Sequence, residues 1–170
     1  NYFRRNYRGK RMKVLIVSDT HRHNENFVKA VERTAPIDLV VHCGDIEGSE
    51  LFISQAAGCP VQMVAGNNDF FSDLPAELTF QIDKLQVWVT HGHHYYVSMG
   101  TEFIMEEARE RGVDVVMYGH THRPSIEYGA GVVALNPGSL SYPRQEGRKP
   151  SYIVMETDRF GEWHFDIRYL

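Results

Sequence analysis

Only two of the 170 residues are cysteines, Cys43 and Cys59, which is too few for a disulfide framework. We read both as reduced and structural, as expected of a cytoplasmic protein. No apolar run approaches the ~20 residues that a membrane-spanning helix needs, so no membrane partner is expected. Basic residues are also scarce once the start of the chain is passed. Five of the 18 Lys and Arg lie within residues 1–11, leaving 13 against all 22 Asp and Glu, a net of -9 from Met12 onward. Such an acidic body is poorly suited to grasping nucleic acid, whose phosphates are held by Lys and Arg.

The basic stretch 1–11 has three readings: a targeting segment, a nucleic-acid arm, or an added or misassigned leader before a natural start at Met12. A secretory signal needs an apolar stretch of about 7–15 residues after the charges. Here Val14-Leu15-Ile16-Val17 runs straight into Ser18-Asp19. The third reading is favoured, with 12–170 as a single domain, a length that can bury a full core.

Against these absences stand five short segments, each pairing a metal-binding side chain with Gly or Asn. They are Asp19-Thr20-His21, Gly44-Asp45, Gly66-Asn67-Asn68-Asp69, His91-Gly92-His93 and Gly119-His120-Thr121-His122. Each follows apolar, mostly β-branched residues and is therefore expected on a loop at the carboxyl end of a strand. Loops that end on one sheet edge converge.

The first half alternates types. Strands are predicted at Lys13–Val17, Leu39–His42 and Val61–Ala65, with helices at Asn24–Arg33 and Ser49–Ala57 between them. This βαβαβ order implies a parallel sheet with right-handed crossovers. In the second half, Leu78–Ile82 and Gln86–Thr90 flank a hairpin turn, and a helix over Thr101–Glu110 is stopped by Gly112. Short strands follow near Val115–Tyr118, Ser125–Tyr128, Val132–Asn136, Ser151–Met155 and Trp163–Tyr169. The fold class is α/β: a two-sheet sandwich flanked by helices, with a second, mostly antiparallel sheet packed on the first.

Carboxylate, imidazole and amide oxygen donors suit Mn, Fe, Zn, Ni or Mg. A Cys-rich structural zinc site is excluded. Two dications ~3.5–4 Å apart repel unless an anion lies between them. Asp45, at the end of the central strand, is the natural bridge, and Gly44 lets the chain turn beside it. Such a pair of ions activates water toward phosphate esters.

These segments together resemble the calcineurin-like metallophosphoesterase superfamily, and most closely its small YfcE-like phosphodiesterase branch, from Lys13 to about Phe165. The resemblance implies one ion on Asp19, His21, Asp45 and His122, and a second on Asp45, Asn67, His91 and His120, with Mn the foremost choice. It implies attack of a hydroxide bridging the ions on a small phosphodiester or related phosphate ester. Many relatives carry His where this chain has Asn68, and an amide cannot transfer a proton at neutral pH. A metal-binding scaffold of the same fold, with weak or no turnover, is the alternative. Asp69 is expected to orient a histidine from behind the ligands, and His93 to stand near the substrate.

Asn136-Pro137-Gly138-Ser139 reads either as a plain turn or as a loop whose amides and Ser139 hydroxyl hold a phosphate oxygen. Arg123 and Arg144 are the basic groups expected near these loops. His42 reads as buried and hydrogen-bonded, and His23, His94 and His164 as exposed or supporting. Tyr95-Tyr96 reads as packed aromatics or as a stacking platform, and Glu102, Glu106, Glu107 and Glu110 as a solvated helix face. Phe70, Phe71 and Trp88 are assigned to a subunit contact in a homo-oligomer or to the core.

Overall fold

The computed structural model describes residues 11–170, so the leader expected over 1–11 lies, Arg11 apart, outside the described residues. Strands β1 (Lys13–Val17), β2 (Leu39–His42) and β3 (Val61–Met63) pair in parallel. Helices α1 (Glu25–Thr34) and α2 (Glu50–Ala57) make the two crossovers. After them come the hairpin β4 (Glu77–Ile82) and β5 (Leu85–Thr90), helix α3 (Glu102–Arg111) and β6 (Val115–Met117). The chain closes with β7 (Pro124–Gly129), β8 (Val132–Pro137), β9 (Ser151–Thr157) and β10 (Trp163–Tyr169).

The strands form two five-stranded sheets, ordered β10-β9-β1-β2-β3 and β4-β5-β6-β8-β7. This is the predicted α/β class with its two-sheet sandwich, but the second half departs from a separate, mostly antiparallel sheet. β5 pairs in parallel with β6, and β6 with β8, while only β4–β5 and β7–β8 are antiparallel within that sheet. The cause is α3, which lies between β5 and β6 and acts as a crossover that returns the chain to the starting edge. β9 and β10 leave the second sheet and extend the first, antiparallel, along the free side of β1. Strand lengths in the sequence do not say which sheet edge is free to accept them.

Burial follows the two-residue period of each strand. Val14 and Ile16 face inward, packing with Val41, Val87, Val89, Val115, Met117 and Leu135 between the sheets. Leu15, Val17 and Val40 face the other way and bury Phe27 and Ala30 of α1 and Ile53 of α2. On the far side, Trp88, Val116 and Ala134 cover Ile104, Met105 and Ala108 of α3. Four layers, helix–sheet–sheet–helix, result. Strands covered on both faces explain why their sequences read as unbroken apolar runs. Trp88 is thereby a core residue, while Phe70 and Phe71 are exposed. Among the described residues, no helix is long and apolar enough to cross a membrane.

All five motif segments leave the carboxyl ends of strands: β1, β2 and β3 in one sheet, β5 and β6 in the other. The parallel pairing of β5 with β6 decides this. An antiparallel pair would have sent one histidine loop to the opposite end of the molecule.

Candidate metal centre

Where the five loops meet, ligand atoms crowd together. Asp19 Oδ1 lies 3.3 Å from His122 Nε2, 3.7 Å from His91 Nε2 and 3.8 Å from His21 Nε2. Asp45 Oδ2 lies 3.4 Å from His91 Nε2 and 3.7 Å from His21 Nε2. Two triads capable of holding an ion result, Asp19–His21–His122 and Asp19–Asp45–His91. The family resemblance implies a shared role for Asp45 alone; the geometry places Asp19 in both triads. His120 and Asn67 stand at the edge of this group, with His120 Nδ1 3.1 Å from Asn67 Oδ1 and its ring 5.2 Å from that of His91.

The backbone is bent to achieve this. Asp19, His21, Asp45, His120 and His122 all have left-handed φ, between 47° and 72°. A non-glycine residue there costs on the order of 1–3 kcal/mol and is characteristic of functional sites. Gly44 takes φ 109°, and a Cβ on it would lie 2.6 Å from His91 Nδ1, so glycine is required for the loops to approach.

Backbone carbonyls fix the imidazoles. His91 Nδ1 donates to the Cys43 carbonyl at 2.7 Å, and His122 Nδ1 to the Tyr142 carbonyl at 2.7 Å. A carbonyl can only accept, so each ring's Nε2 is left facing the carboxylates. Burial by itself would raise the carboxyl pKa of both aspartates, but imidazoles outweigh it: His91 and His122 around Asp19, His91 beside Asp45. Both acids are held below the usual range and stay ionised. Burial disfavours charge on His91, yet Asp19 and Asp45 pull its pKa up to about 9. Asp19 Oδ1 and His91 Nε2 are nevertheless buried without any hydrogen-bond partner.

Asp69 departs from its expected task. It touches no histidine; its carboxylate accepts from the backbone amides of Asp45 at 2.8 Å, Ile46 at 3.0 Å, Glu47 at 2.7 Å and Gly66 at 2.7 Å. It therefore ties the β3 loop to the β2 loop and aims Asp45 through the backbone. Asn68 closes over the Asp45 carboxylate, its side-chain amide donating to Asp45 Oδ2 at 2.9 Å.

Ser139 is a second correction. It is fully buried, donates to the Asp19 carbonyl at 2.7 Å and accepts from the Ser141 and Tyr142 amides. Its hydroxyl is used up on backbone and is out of a substrate's reach. Arg123 and Arg144 are exposed on a separate cavity of about 500 Å3 shared with Ser98, Thr121 and Ser125. His93 is half-buried with its Nδ1 unpartnered. Burial and the neighbouring imidazoles His94, His91 and His120 press its pKa down to about 4.

Sequence reasoning missed three supports. Ser18 donates to Asp19 Oδ2 at 2.6 Å, the Glu47 carboxylate stands 3.7 Å from His21 Nδ1, and the Tyr142 ring packs edge-on to His21 at 5.5 Å. Ser18 and Glu47 adjoin the motifs and could have been suspected; Tyr142 carries no local signal.

His42 behaves as predicted, buried with its Nδ1 accepting from the Gly44 amide and its Nε2 facing Thr20 Oγ1. Protonation would break the Gly44 bond, and burial accordingly lowers its pKa from 6.5 to about 4. The folded form disfavours the proton, so this contribution to stability is complete above pH 6.5 and lost as pH falls toward 4. About 2 kcal/mol should disappear between pH 7 and pH 5. Urea midpoints for the protein and for His42→Gln check this; the variant should lose less over that interval.

An α/β sandwich whose strand ends gather aspartates, histidines and asparagine around orphaned ligand atoms is a scaffold whose residues could hold divalent metal ions. Residues 12–159 match the model of the calcineurin-like phosphoesterase superfamily domain. The chain belongs to that superfamily. It is 37% identical over 148 residues to the probable metallophosphoesterase YsnB of Bacillus subtilis, covering 86% of this chain and 85% of that protein. It is 34% identical over 146 residues to the phosphodiesterase MJ0936 of Methanocaldococcus jannaschii, covering 75% and 83%. The fold also matches wild-type Vps29 of Entamoeba histolytica complexed with Zn2+, with a TM-score of 0.73 at 21% identity over 93% of this chain and 99% of that one.

Proposed function

We propose that residues 12–170 form one dinuclear phosphoesterase domain that hydrolyses small phosphodiesters or related phosphate esters. The observation that carries this reading is the facing pair of buried, unpartnered atoms, Asp19 Oδ1 and His91 Nε2, 3.7 Å apart among three more ligand groups. Buried polar atoms without partners are rare and costly, and a cation between them supplies the missing interaction. Donors of this type fit Mn first, with Fe, Zn, Ni and Mg as further candidates. Asp19, His21, Asp45 and His122 would hold one ion, and Asp45, Asn67, His91 and His120 the other. When bound, such ions supply Lewis acidity and an activated water for in-line attack on phosphorus.

The chain's own residues do the rest. Carbonyls of Cys43 and Tyr142 keep His91 and His122 in the tautomer that presents Nε2. Asp69 holds the Asp45 backbone in place. Asn68 offers amide hydrogens to a phosphoryl oxygen, and His93, neutral at pH 7, offers a ring nitrogen beside it. Neither Asn68 nor any other amide can deliver a proton, so esters with acidic leaving groups should turn over best. The two unpaired cysteines fit a reducing, cytoplasmic setting.

A scaffolding role is the second reading. It is favoured by Asn68, which is engaged with Asp45 and cannot act as an acid, and by the shared fold with Vps29. Metal stoichiometry measured beside turnover of bis(p-nitrophenyl) phosphate separates the two. Two Mn per chain with hydrolysis that stops on chelation is the expected result. Two tightly held ions with no turnover of any ester would establish the scaffold instead.

A further inference from the structure

Beside the metal centre opens a cavity of about 690 Å3, lined by Arg22, Glu47, Glu50, Asn68, Phe70 and Phe71 among others. That volume suits a ligand of small-molecule size. The cavity shares Asn68 and Glu47 with the site: Asn68 bonds Asp45, and Glu47 stands 3.7 Å from His21. A group attached to a phosphate at the ligand cluster can therefore extend directly into it.

Two features of the lining restrict that group. Phe70 and Phe71 are 79% and 102% exposed, adjacent rings on the loop that Asp69 pins to its neighbours. Rings held out on a fastened loop offer faces for stacking without a large entropic cost to order them. The charge is one-sided as well. Glu47, Glu50 and Asp73 line the cavity, and Arg22, whose Nε donates to the Glu47 carbonyl at 2.7 Å while its charge remains, is one cation against these three carboxylates. A second anionic group on the ligand would meet carboxylates it could not pair with.

Resting on the phosphoesterase reading above, we propose that this cavity receives the alcohol portion of the substrate, and that this portion carries an aromatic ring and no further anionic group. Aryl and nucleoside phosphate esters share that chemistry; oligonucleotides and bisphosphates do not.

Isothermal titration calorimetry on the Mn-loaded protein tests this with phosphonates and phosphates that differ only in the attached group. Phenylphosphonate should bind about ten-fold tighter than methylphosphonate, as stacking on an aromatic side chain implies. Adenosine 5′-monophosphate should exceed ribose 5-phosphate by a similar factor. A gain confined to one of these pairs identifies an aryl or a nucleoside ligand, and either supports the assignment. Both gains should vanish in the Phe70→Ala/Phe71→Ala double variant, whose exposed positions leave the thermal midpoint unchanged. Adenosine 3′,5′-bisphosphate should bind more weakly than the monophosphate, and Glu50→Gln/Asp73→Asn should erase that difference. Equal binding with and without a ring, or discrimination that survives the loss of both phenylalanines, overturns the assignment while leaving the metal centre intact. If Mn confers no affinity for methylphosphonate or any other ligand, the phosphoesterase reading fails, and this one with it.

Discussion

Replacing Asp45 by Asn should lower kcat on an activated aryl phosphodiester by about 1,000-fold at saturating Mn. The substitution keeps size and shape, and an amide oxygen can still accept from the Asn68 backbone amide that now donates to Asp45 Oδ1 at 2.9 Å. What it removes is the charge that lies 3.4 Å from His91 and 3.7 Å from His21, between the two proposed ion positions. An anion shared by neighbouring dications contributes several kcal/mol, and each ~1.4 kcal/mol in the barrier is a factor of ten in rate. The loss should appear in metal stoichiometry too, with one ion or none retained per chain. A fall of less than about ten-fold, with two ions still bound, would mean that Asp45 is not the shared ligand; Asp19, common to both triads, would then be the residue to replace.

The Asp69→Ala variant should be the most destabilised single substitution in the site, by about 4 kcal/mol. Its carboxylate accepts from four backbone amides on two loops, and three of them, those of Asp45, Ile46 and Gly66, bracket the bend that aims Asp45. Alanine leaves all four donors without their partner, at roughly 1 kcal/mol or more each when water replaces it poorly. Urea denaturation of the metal-free protein gives the number, and Asp69→Asn, with one acceptor oxygen, should recover about half. Mn affinity should fall in parallel, since the loop that presents Asp45 is no longer tied to that of Asn67. A variant within about 1 kcal/mol of the parent would show that water satisfies those amides and that the loops hold without the carboxylate.

Both expectations start from residues that stand out in the amino-acid chain, yet their tasks were not equally readable. Asp45 could be named from its place after a central strand and from the electrostatics of two ions. Asp69 was expected behind a histidine, because a carboxylate next to metal ligands usually supports an imidazole. Here backbone carbonyls of Cys43 and Tyr142 do that work, and a carbonyl leaves no trace in a sequence, since every residue has one. Ser139 was a candidate for substrate contact for the same reason that it turned out to be buried: a hydroxyl in a turn serves a ligand or the turn itself, and only packing decides.

The sequence by itself determined the candidate ligand types, their order and the strand ends that carry them, because apolar β-branched runs followed by Gly, Asp, Asn and His specify strand-then-loop locally. It also determined that the βαβαβ half is parallel, because each helix carries the chain back to the edge at which the preceding strand began. Tertiary structure alone decided that β9 and β10 extend the first sheet and that β5 runs parallel with β6, since strand partners are chosen by free edges and crossovers at long range. It likewise decided the left-handed bends at Asp19, His21, Asp45, His120 and His122, a strain that persists only because loops from both sheets hold each other in place.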